Sequence, residues 1–279
     1  MKKILIILIA SLLLLCSCNT GGGGKEELTV YFADVGKADL IILKCGERYG
    51  LIDAGYKSNR DKADDILGEY GVKSLDFAVA THNDKDHIGG MAHIIEKYNP
   101  ATLYITPLKS DEKQYKNMLE AASLKGTDVK ELKKGGRFTF GGAVFDVLSP
   151  DDSLLSLNDE NESSIVLKMS YGDKSVLFMG DAQLKSEEVI MKNYGKELLC
   201  DVIKIAHHGS SKASSQVFLS KTKAQYAVIS TGDGEPVSDI TLKSMEACGM
   251  KVYDTNNVGD IIMKTDGKNI TFSVKGKIK

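Results

Sequence analysis

A ten-residue stretch at positions 81–90, Thr-His-Asn-Asp-Lys-Asp-His-Ile-Gly-Gly, constrains the fold of this chain more than any other segment. It places two imidazoles, His82 and His87, and two carboxylates, Asp84 and Asp86, within six residues. The mixed apolar run at 75–80 predicts a short buried strand, and the apolar spacing after the motif predicts a helix that ends before Asn-Pro at 99–100. We therefore expect the motif where a strand ends and a helix begins.

The four polar side chains of this motif have the chemistry of metal ligands. In extended backbone His82 and Asp84 project to the same side, and the two glycines let the chain turn without a Cβ in the way. Two carboxylates that converge on one small volume are unfavourable unless a cation lies between them. Imidazole nitrogen combined with carboxylate oxygen favours zinc, manganese or iron over calcium. The simpler alternative is a polar loop whose aspartate caps the following helix.

The motif resembles the H-x-H-x-D-H signature of the metallo-β-lactamase-fold hydrolases, with Asp84 in the place of the second histidine. The variant H-x-D-x-D-H followed by Gly-Gly is similar to the extracellular hydrolase domain of ComEC-type competence proteins. The resemblance runs from about residue 28 to the C terminus. It implies an α/β (α+β) fold, a four-layer αββα metallo-β-lactamase sandwich, with the motifs on loops at one edge.

Three other segments match this resemblance. A predicted strand at 175–179 leads to Gly-Asp, and the resemblance makes Asp181 a carboxylate that bridges two metal ions. A predicted strand at 202–206 leads to His207 and His208, of which one is expected to bind metal and the other to orient substrate or donate a proton. A surface histidine doublet is the alternative. Asp53 matches an aspartate that supports the metal loop, although it is also typical of a turn.

The resemblance assigns the ligands to two divalent metal ions, zinc or manganese. His82 and Asp84 would hold one ion, Asp86 and His87 with His207 or His208 would hold the other, and Asp181 would lie between them. Two such ions about 3.5–4 Å apart can activate water and bind both oxygens of a phosphoryl displacement. The predicted catalytic residues are Asp86, His208 and Asn161, and the residues predicted to support ligands or contact substrate are Asp53, Ser164, Ser210 and Ser211.

Several positions depart from the resembled pattern. Many superfamily members have a third histidine near residues 159–164, where this chain reads Asp-Glu-Asn-Glu-Ser-Ser. Asn161 there would hold a metal water or a substrate oxygen, or belong to an ordinary polar loop. Lys37 and Ala38 stand where competence-type sequences have Gln and Gly, and Glu235 stands where they have a histidine before proline. The oxygen-rich first ligand set and the missing third histidine near residues 159–164 disfavour β-lactam hydrolysis and make manganese a rival to zinc.

Charge and cysteine content narrow the functional classes. The 279 residues carry a net charge of −2, which does not mark a nucleic-acid binder, and the five cysteines form no CxxC pair that would bind metal. Lysines are concentrated between residues 109 and 137, either as a rim that faces phosphate or as a solvated mixed-charge face. The hydroxyls at 210–215 and a helix that begins near Ser215 offer donors suited to a phosphate.

The N terminus has the features of a bacterial lipoprotein signal. Two lysines precede an apolar run at 4–15, and Cys18 follows a serine. We predict a signal peptide at 1–17, a lipidated Cys18 with a flexible linker at 18–27, and a hydrolase domain at 28–279. An ordinary secretory signal is the alternative. The predicted location is the extracellular face of the bacterial cell membrane, with the membrane contacted through the lipid and no protein partner.

The predicted function is a metal-dependent extracellular hydrolase, a phosphodiesterase or DNase related to competence hydrolase domains, with DNA or another phosphodiester as substrate. Two alternatives stay open: a phosphodiesterase on a small or envelope-bound ester such as phosphorylcholine, and a non-catalytic metal-binding lipoprotein. ComEC-type proteins also carry a membrane channel, which this sequence does not show, so transport is not expected.

Overall fold

Two β-sheets form the middle of the molecule, which we describe from a computed structural model covering residues 26–276. The predicted signal peptide, Cys18 and all but the last two residues of the predicted linker lie outside these residues, so the lipoprotein interpretation and the domain limits stay predictions. None of the helices between residues 26 and 276 is long and apolar enough to cross a bilayer.

The strands and helices follow one another along the chain with short connections. The strands are β1 (Leu28–Phe32), β2 (Ile41–Cys45), β3 (Arg48–Ile52), β4 (Phe77–Ala80), β5 (Thr102–Ile105), β6 (Asp128–Glu131), β7 (Arg137–Phe140), β8 (Ala143–Ser149), β9 (Val166–Tyr171), β10 (Lys174–Phe178), β11 (Val202–Lys204), β12 (Tyr226–Ile229), β13 (Lys251–Asp254), β14 (Asp260–Thr265) and β15 (Ile270–Lys275). The helices are α1 (Arg60–Glu69), α2 (Lys85–Ile88), α3 (Met91–Tyr98), α4 (Lys113–Lys125), α5 (Asp152–Leu155), α6 (Leu184–Tyr194), α7 (Gln216–Thr222), α8 (Asp239–Ala247) and α9 (Thr255–Val258). Short 3-10 turns occupy Lys57–Asn59, Gly195–Leu198 and Ala206–Gly209.

The sheets are mixed, and their parallel halves determine where the functional loops meet. The eight-stranded sheet has the order β15-β14-β1-β2-β3-β4-β5-β6, and the seven-stranded sheet has the order β13-β12-β11-β10-β9-β8-β7. Strands β3 to β6 are parallel, as are β10 to β13. Because parallel strands end at the same edge of their sheet, the loops after β4, β10 and β11 gather at one edge of the molecule.

Apolar side chains alternate along the strands and bury both faces of each sheet. Phe32, Phe77, Phe145 and Phe178 belong to the layer between the sheets, where each buried phenylalanine contributes about 1.5–3 kcal/mol. Helices α1, α3 and α4 cover the eight-stranded sheet, and α6, α7 and α8 cover the seven-stranded sheet. The predicted four-layer αββα sandwich is confirmed.

Strand β6 shows no apolar alternation, and its residues Asp-Val-Lys-Glu are all exposed at a sheet edge. It belongs to the lysine-rich stretch at 109–137. Most cations of that stretch pair with a nearby carboxylate: Lys109 with Glu131, Lys116 with Asp111, Lys130 with Asp128, Lys133 with Asp152, and Arg137 with Asp146. These pairs favour the solvated-face interpretation over a phosphate-facing rim.

Candidate metal centre

Backbone hydrogen bonds hold the 81–90 motif against the two preceding loops. Ala54 N–H donates to His87 O at 2.7 Å, Asp39 N–H donates to Asp86 O at 3.2 Å, and Gly90 N–H donates to Gly55 O at 2.9 Å. A Cβ at Gly90 would lie 2.4 Å from Ala54 O, so this glycine is required by the close approach of two backbones. The predicted strand-to-helix placement is confirmed, because the motif runs from the end of β4 through α2 to the residue that precedes α3.

Left-handed backbone occurs in the two turns that carry the ligand candidates after β10 and β11. His207 and His208 both adopt left-handed backbone angles, with φ of 49° and 51°, in the turn after β11. Left-handed backbone costs a non-glycine residue about 1–3 kcal/mol. Gly180, just before Asp181, has φ of 52° and is the residue type that tolerates this conformation. The strained turn directs both imidazoles towards the end of β10.

The carboxylate of Asp181 lies at the centre of the site and faces four imidazoles. Its Oδ2 lies 3.9 Å from His82 Nε2, 3.8 Å from His207 Nε2 and 3.8 Å from His208 Nε2. Its Oδ1 lies 3.2 Å from His87 Nε2. Such a carboxylate is placed to be shared by two groups of ligands.

The remaining ligand candidates divide into two groups around Asp181. The outer set is His82, Asp84 and His207; His82 Nε2 lies 3.6 Å from Asp84 Oδ2, and the side chains of Asp84 and His207 are 42% and 23% exposed. The inner set is Asp86, His87 and His208, with His208 Nε2 at 3.5 Å from Asp86 Oδ2. One ligand atom from each inner-set residue and from Asp181 all lie within 4.8 Å of one another. The inner set therefore includes His208. We assign His207, which lies outside this group but 3.8 Å from Asp181, to the outer set.

Hydrogen bonds orient the two inner imidazoles. His87 Nδ1 lies 2.7 Å from Asp53 Oδ2, and His208 Nδ1 lies 3.0 Å from Ser230 O. A proton on each Nδ1 leaves Nε2 free to bind a metal ion. Asp53 also accepts hydrogen bonds from the Thr81 N–H and hydroxyl at 2.9 and 2.7 Å, so it joins the motif to the preceding strand, where the resemblance implied a supporting aspartate.

The side chains present fit divalent cations. Among the described residues, Nε2 of His82, His87 and His208 and Oδ1 of Asp181 are buried and complete no hydrogen bond. Buried polar atoms without partners are costly, and a cation bound by nitrogen and oxygen would satisfy them together. The capping alternative is not supported, because Asp84 precedes α2 and its side chain makes no capping hydrogen bond.

The electrostatics of the inner set favour positive charge. Burial alone would raise the pKa of Asp86, but the imidazoles of His208 and His87 more than offset burial and lower it to about 2. Burial alone would lower the pKa of His87, but the carboxylates of Asp181 and Asp53 raise it well above its usual value. The carboxylates are thus ionised at neutral pH and available to a cation.

The other predicted site residues occupy different positions. Asn161 Oδ1 is buried without a hydrogen-bond partner among the described residues, and Ser164 Oγ accepts a hydrogen bond from Asp181 N–H at 3.2 Å. Ser210 Oγ accepts from Lys212 N–H at 3.3 Å, and Ser211 is exposed. Ser164 therefore holds the backbone of the ligand candidate Asp181, whereas contacts of the other three with substrate stay predictions.

The phosphate donors expected near residue 215 are already engaged. Ser215 N–H lies 3.2 Å from each carboxylate oxygen of Glu187, and Ser215 Oγ accepts from Phe218 N–H at the start of α7. The start of this helix therefore faces a carboxylate of the protein itself. The expectation that it offers donors to an anionic phosphate is not supported.

Two ion pairs near the site were not predicted from the sequence. Lys204, at the end of β11, is buried against Asp39. The only indication of this pair in the sequence is a single lysine within the apolar run at 202–206. Lys37 and Glu235 pair across two loops, at two of the positions that depart from the competence-type pattern. The sequence showed both departures but not that they contact each other.

Comparison with known proteins decides the family. Residues 42–233 match the model of the metallo-beta-lactamase superfamily. The chain belongs to this superfamily. The chain is 29% identical to ComE operon protein 3 of Bacillus subtilis (strain 168) over 263 residues, which cover 86% of this chain and 33% of that protein. It is 28% identical to competence protein ComA of Neisseria gonorrhoeae over 209 residues, covering 75% of this chain and 28% of that protein.

Solved structures support the superfamily fold. The metallo-beta-lactamase fold protein YhfI from Bacillus subtilis matches with a TM-score of 0.56 and 12% identity, covering 86% of this chain and 100% of that chain. CmlA, a diiron beta-hydroxylase from Streptomyces venezuelae, matches with a TM-score of 0.59 and 13% identity, covering 86% of this chain and 54% of that chain.

The chain spans about a third or less of the length of these two curated relatives. The resemblance to competence-related metallo-β-lactamase-fold proteins is confirmed, and the fold with its candidate metal centre indicates a metal-dependent hydrolase related to competence proteins.

Proposed function

We propose that this superfamily member is a binuclear metal-dependent phosphodiesterase that cleaves nucleic-acid strands outside the cell, attached to the membrane by a lipid at Cys18. The observation that carries the catalytic part is the shared position of Asp181 between two sets of histidine and carboxylate ligands. The location rests on the signal-like sequence at 1–18.

The outer set and Asp181 would hold one divalent ion, and the inner set and Asp181 would hold the other, with zinc and manganese as the candidates. When bound, such ions polarise phosphoryl oxygens and lower the pKa of water. The protein fixes the inner imidazoles through Asp53 and the Ser230 carbonyl, so that little reorganisation is needed on binding. Asp84 and His207, the exposed members of the outer set, mark the side from which substrate would enter.

Asn161 is the predicted catalytic residue that belongs to neither ligand set, and His207 is the partly exposed histidine of the outer set. The buried Asn161 Oδ1 has no partner among the described residues and can accept a hydrogen bond from a water or a substrate hydroxyl. Burial lowers the pKa of His207, more than the nearby Asp181 carboxylate raises it. A neutral imidazole can bind the outer metal ion through Nε2. Asp86 and His208, which were predicted to be catalytic, would hold the inner metal ion.

A groove beside the metal centre supports a polyanionic substrate. The basic groove has a volume of about 680 Å³ and is lined by Lys57, Arg60, Lys85 and Lys113, among others. Within residues 26–276, Lys57, Lys85 and Lys113 have no carboxylate partner. Lys113 differs in this from the paired cations of the 109–137 stretch to which it belongs. Lys85 lies between the ligands Asp84 and Asp86 in the chain, so the groove adjoins the site.

The distribution of charge along the basic groove gives it a direction. Lys113 and Gln114 begin α4, where no side chain caps the helix N terminus, and Gln114 Nε2 donates to Asn83 O at 3.3 Å. Glu120 lies seven residues further along α4, about 10 Å away at 1.5 Å per residue. The end next to the metal centre is therefore basic, as backbone phosphates require.

A small choline-type ester is the second candidate substrate, because a second recess is lined by an aromatic ring and carboxylates, unlike the basic groove. This recess, about 390 Å³, is lined by Lys37, Tyr56, Asp233 and Glu235 among others. Tyr56 offers an aromatic face, and two carboxylates lie nearby, which suits a quaternary ammonium group. Burial, together with the Asp86 and Glu235 carboxylates, raises the pKa of Tyr56.

An activity panel on metal-free protein tests the proposal. Zinc or manganese is added back, and hydrolysis of bis(p-nitrophenyl) phosphate, single-stranded DNA and p-nitrophenyl phosphorylcholine is measured. We expect cleavage of the small diester and of DNA. Cleavage of the small diester or the choline ester with intact DNA would replace the nuclease by the second candidate. No cleavage with any metal would favour a non-catalytic metal-binding protein.

A further inference from the structure

A buried ion pair lies directly beneath the inner set. Lys204 ends β11 and is 1% exposed, and its Nζ lies 2.9 Å from both carboxylate oxygens of Asp39. The only other hydrogen bond of this ammonium, among the described residues, is to Ile205 O at 3.4 Å. Replacing a buried ion pair by apolar residues is often neutral or stabilising. Stability alone therefore gives a weak account of this lysine.

Asp39 contacts the inner set through both its backbone and its side chain. Its N–H donates to Asp86 O at 3.2 Å, and its carbonyl accepts from Gly55 N–H at 2.9 Å. Its Oδ1 lies 3.8 Å from His208 Nδ1, on the side of the ring opposite the metal-facing Nε2. A displacement of Asp39 would therefore move two of the three inner ligands.

The pair also joins the two sheets. Lys204 belongs to the seven-stranded sheet, which supplies His208, and Asp39 precedes β2 of the eight-stranded sheet, which supplies Asp86 through the loop after β4. The separation of Asp86 and His208, 3.5 Å between Oδ2 and Nε2, thus depends on how the sheets are held at this edge. Lys204 and Asp39 provide a direct polar contact between them there.

We propose that Lys204 and Asp39 are positioning residues that fix the separation of Asp86 and His208 and thereby set the metal affinity of the inner set. This inference rests on the proposed binding of metal by the inner and outer sets. Groups that orient metal ligands typically change metal affinity by about 10–100-fold. The outer set, whose members do not contact the pair, should keep its affinity.

The experiment measures metal binding by the folded metal-free protein. Cobalt(II) is titrated into wild type and Lys204→Met, and the visible absorption of the bound ion reports each site separately from activity. Lys174→Met is the matched control, because Lys174 pairs with Asp201 at 3.1 Å in the same sheet and neither residue contacts a ligand. We expect Lys204→Met to weaken one of two equivalents by about 10–100-fold and to change its absorption bands, with the control like wild type.

A second variant separates positioning from folding. Lys204→Met leaves Asp39 buried without a counter-charge and can destabilise the chain, so Lys204→Met/Asp39→Asn removes both charges. Thermal unfolding of the metal-free proteins checks that this double variant folds. A folded double variant with one weakened equivalent supports the proposal. Wild-type affinity and spectrum in either variant would overturn it, while a wild type that binds no metal at all would overturn the proposed function itself.

Discussion

The inner and outer sets use the same ligand types but differ in how firmly the protein holds them. In the inner set His87 is fixed by Asp53, His208 by the Ser230 carbonyl, and Asp86 through its backbone by Asp39. In the outer set Asp84 is 42% exposed, and His207 Nδ1 is buried without a partner among the described residues. Ligand identity alone therefore does not determine affinity, because preorganisation differs between two sets that share Asp181.

This difference gives each set a distinct expected role. In the inner set His87 and His208 are buried and oriented and Asp86 is only 18% exposed, so this set should bind its metal ion tightly and release it slowly. The outer set faces solvent through Asp84 and His207, so it should exchange its ion more readily and meet the substrate first. Four predictions test this contrast.

The largest effect is expected from Asp181→Ala, because this carboxylate serves both sets and its loss cannot be compensated by either. We expect activity on bis(p-nitrophenyl) phosphate to fall at least about a thousandfold, beyond the 10–100-fold typical of supporting residues, together with loss of bound metal. Asp84→Ala should also abolish most activity but spare the inner equivalent. Asp146→Ala, in an exposed ion pair with Arg137, is the control. Equal metal content in Asp181→Ala and wild type would contradict the central position of Asp181.

A second test releases one inner imidazole without removing a ligand. Asp53→Ala takes away the acceptor for His87 Nδ1 and for the Thr81 hydroxyl. The metal affinity of the inner set should fall about 10–100-fold, and Asp53→Asn should recover part of it through its amide oxygen. Competition with a chelator measures the affinity. If both variants keep the wild-type metal affinity, the hydrogen bond from His87 to Asp53 does not orient the inner set for metal binding.

A third test uses the basic groove, which lies on the exposed side of the centre. Lys57→Glu and Lys113→Glu should each raise KM for single-stranded DNA about tenfold and reduce the salt dependence of binding by roughly one phosphate contact. Activity on the small diester should not change, because it cannot reach the groove. Lys243→Glu, on α8 over the other sheet, is the control. Equal effects on DNA and on the small diester would place these lysines outside substrate recognition.

The ligand candidates could be located from the sequence because they follow strand ends, and strand ends are readable from apolar runs. The 81–90 motif, Asp181 and the two histidines after β11 all follow such runs. The resemblance supplied what the pattern could not, namely that these distant loops meet. The helix at 239–247 and the hairpin that turns at 266–267 are also readable from the sequence, because a capping serine and turn residues mark their limits.

The contacts that distinguish the two sets could not be predicted, since they join residues far apart in sequence. Lys204 and Asp39 are separated by 165 positions, and Lys37 and Glu235 by 198. Which histidine of the pair joins the inner set depends on the left-handed turn at 207–208. Histidine is enriched at positive φ, but the conformation is too uncommon to be predicted at a given histidine. Strand β6 was missed because its charged residues carry no apolar alternation.

The smallest effect should come from a carboxylate that is firmly held but belongs to neither set. Asp64 accepts hydrogen bonds from His93 at 2.8 Å and Tyr98 at 3.0 Å and pairs with Lys97 at 2.8 Å. Burial alone would raise its pKa, but these three partners lower it below the usual value. A carboxyl group whose folded pKa is depressed stabilises the fold above its unfolded pKa and loses that contribution as pH falls through the folded pKa.

Asp64→Asn should therefore lower the free energy of unfolding by roughly 1 kcal/mol at pH 7, about 2–4 °C in Tm, with metal content unchanged. The gap to wild type should close as the pH falls below about 3.9. Thermal unfolding across this range measures it, with Asp61→Asn, an 89% exposed position on the same helix, as the control. A gap that persists at the lowest pH would show that Asp64 stabilises through packing and not through charge, and a loss of metal would show that firm hydrogen bonding outside the two sets also shapes the centre.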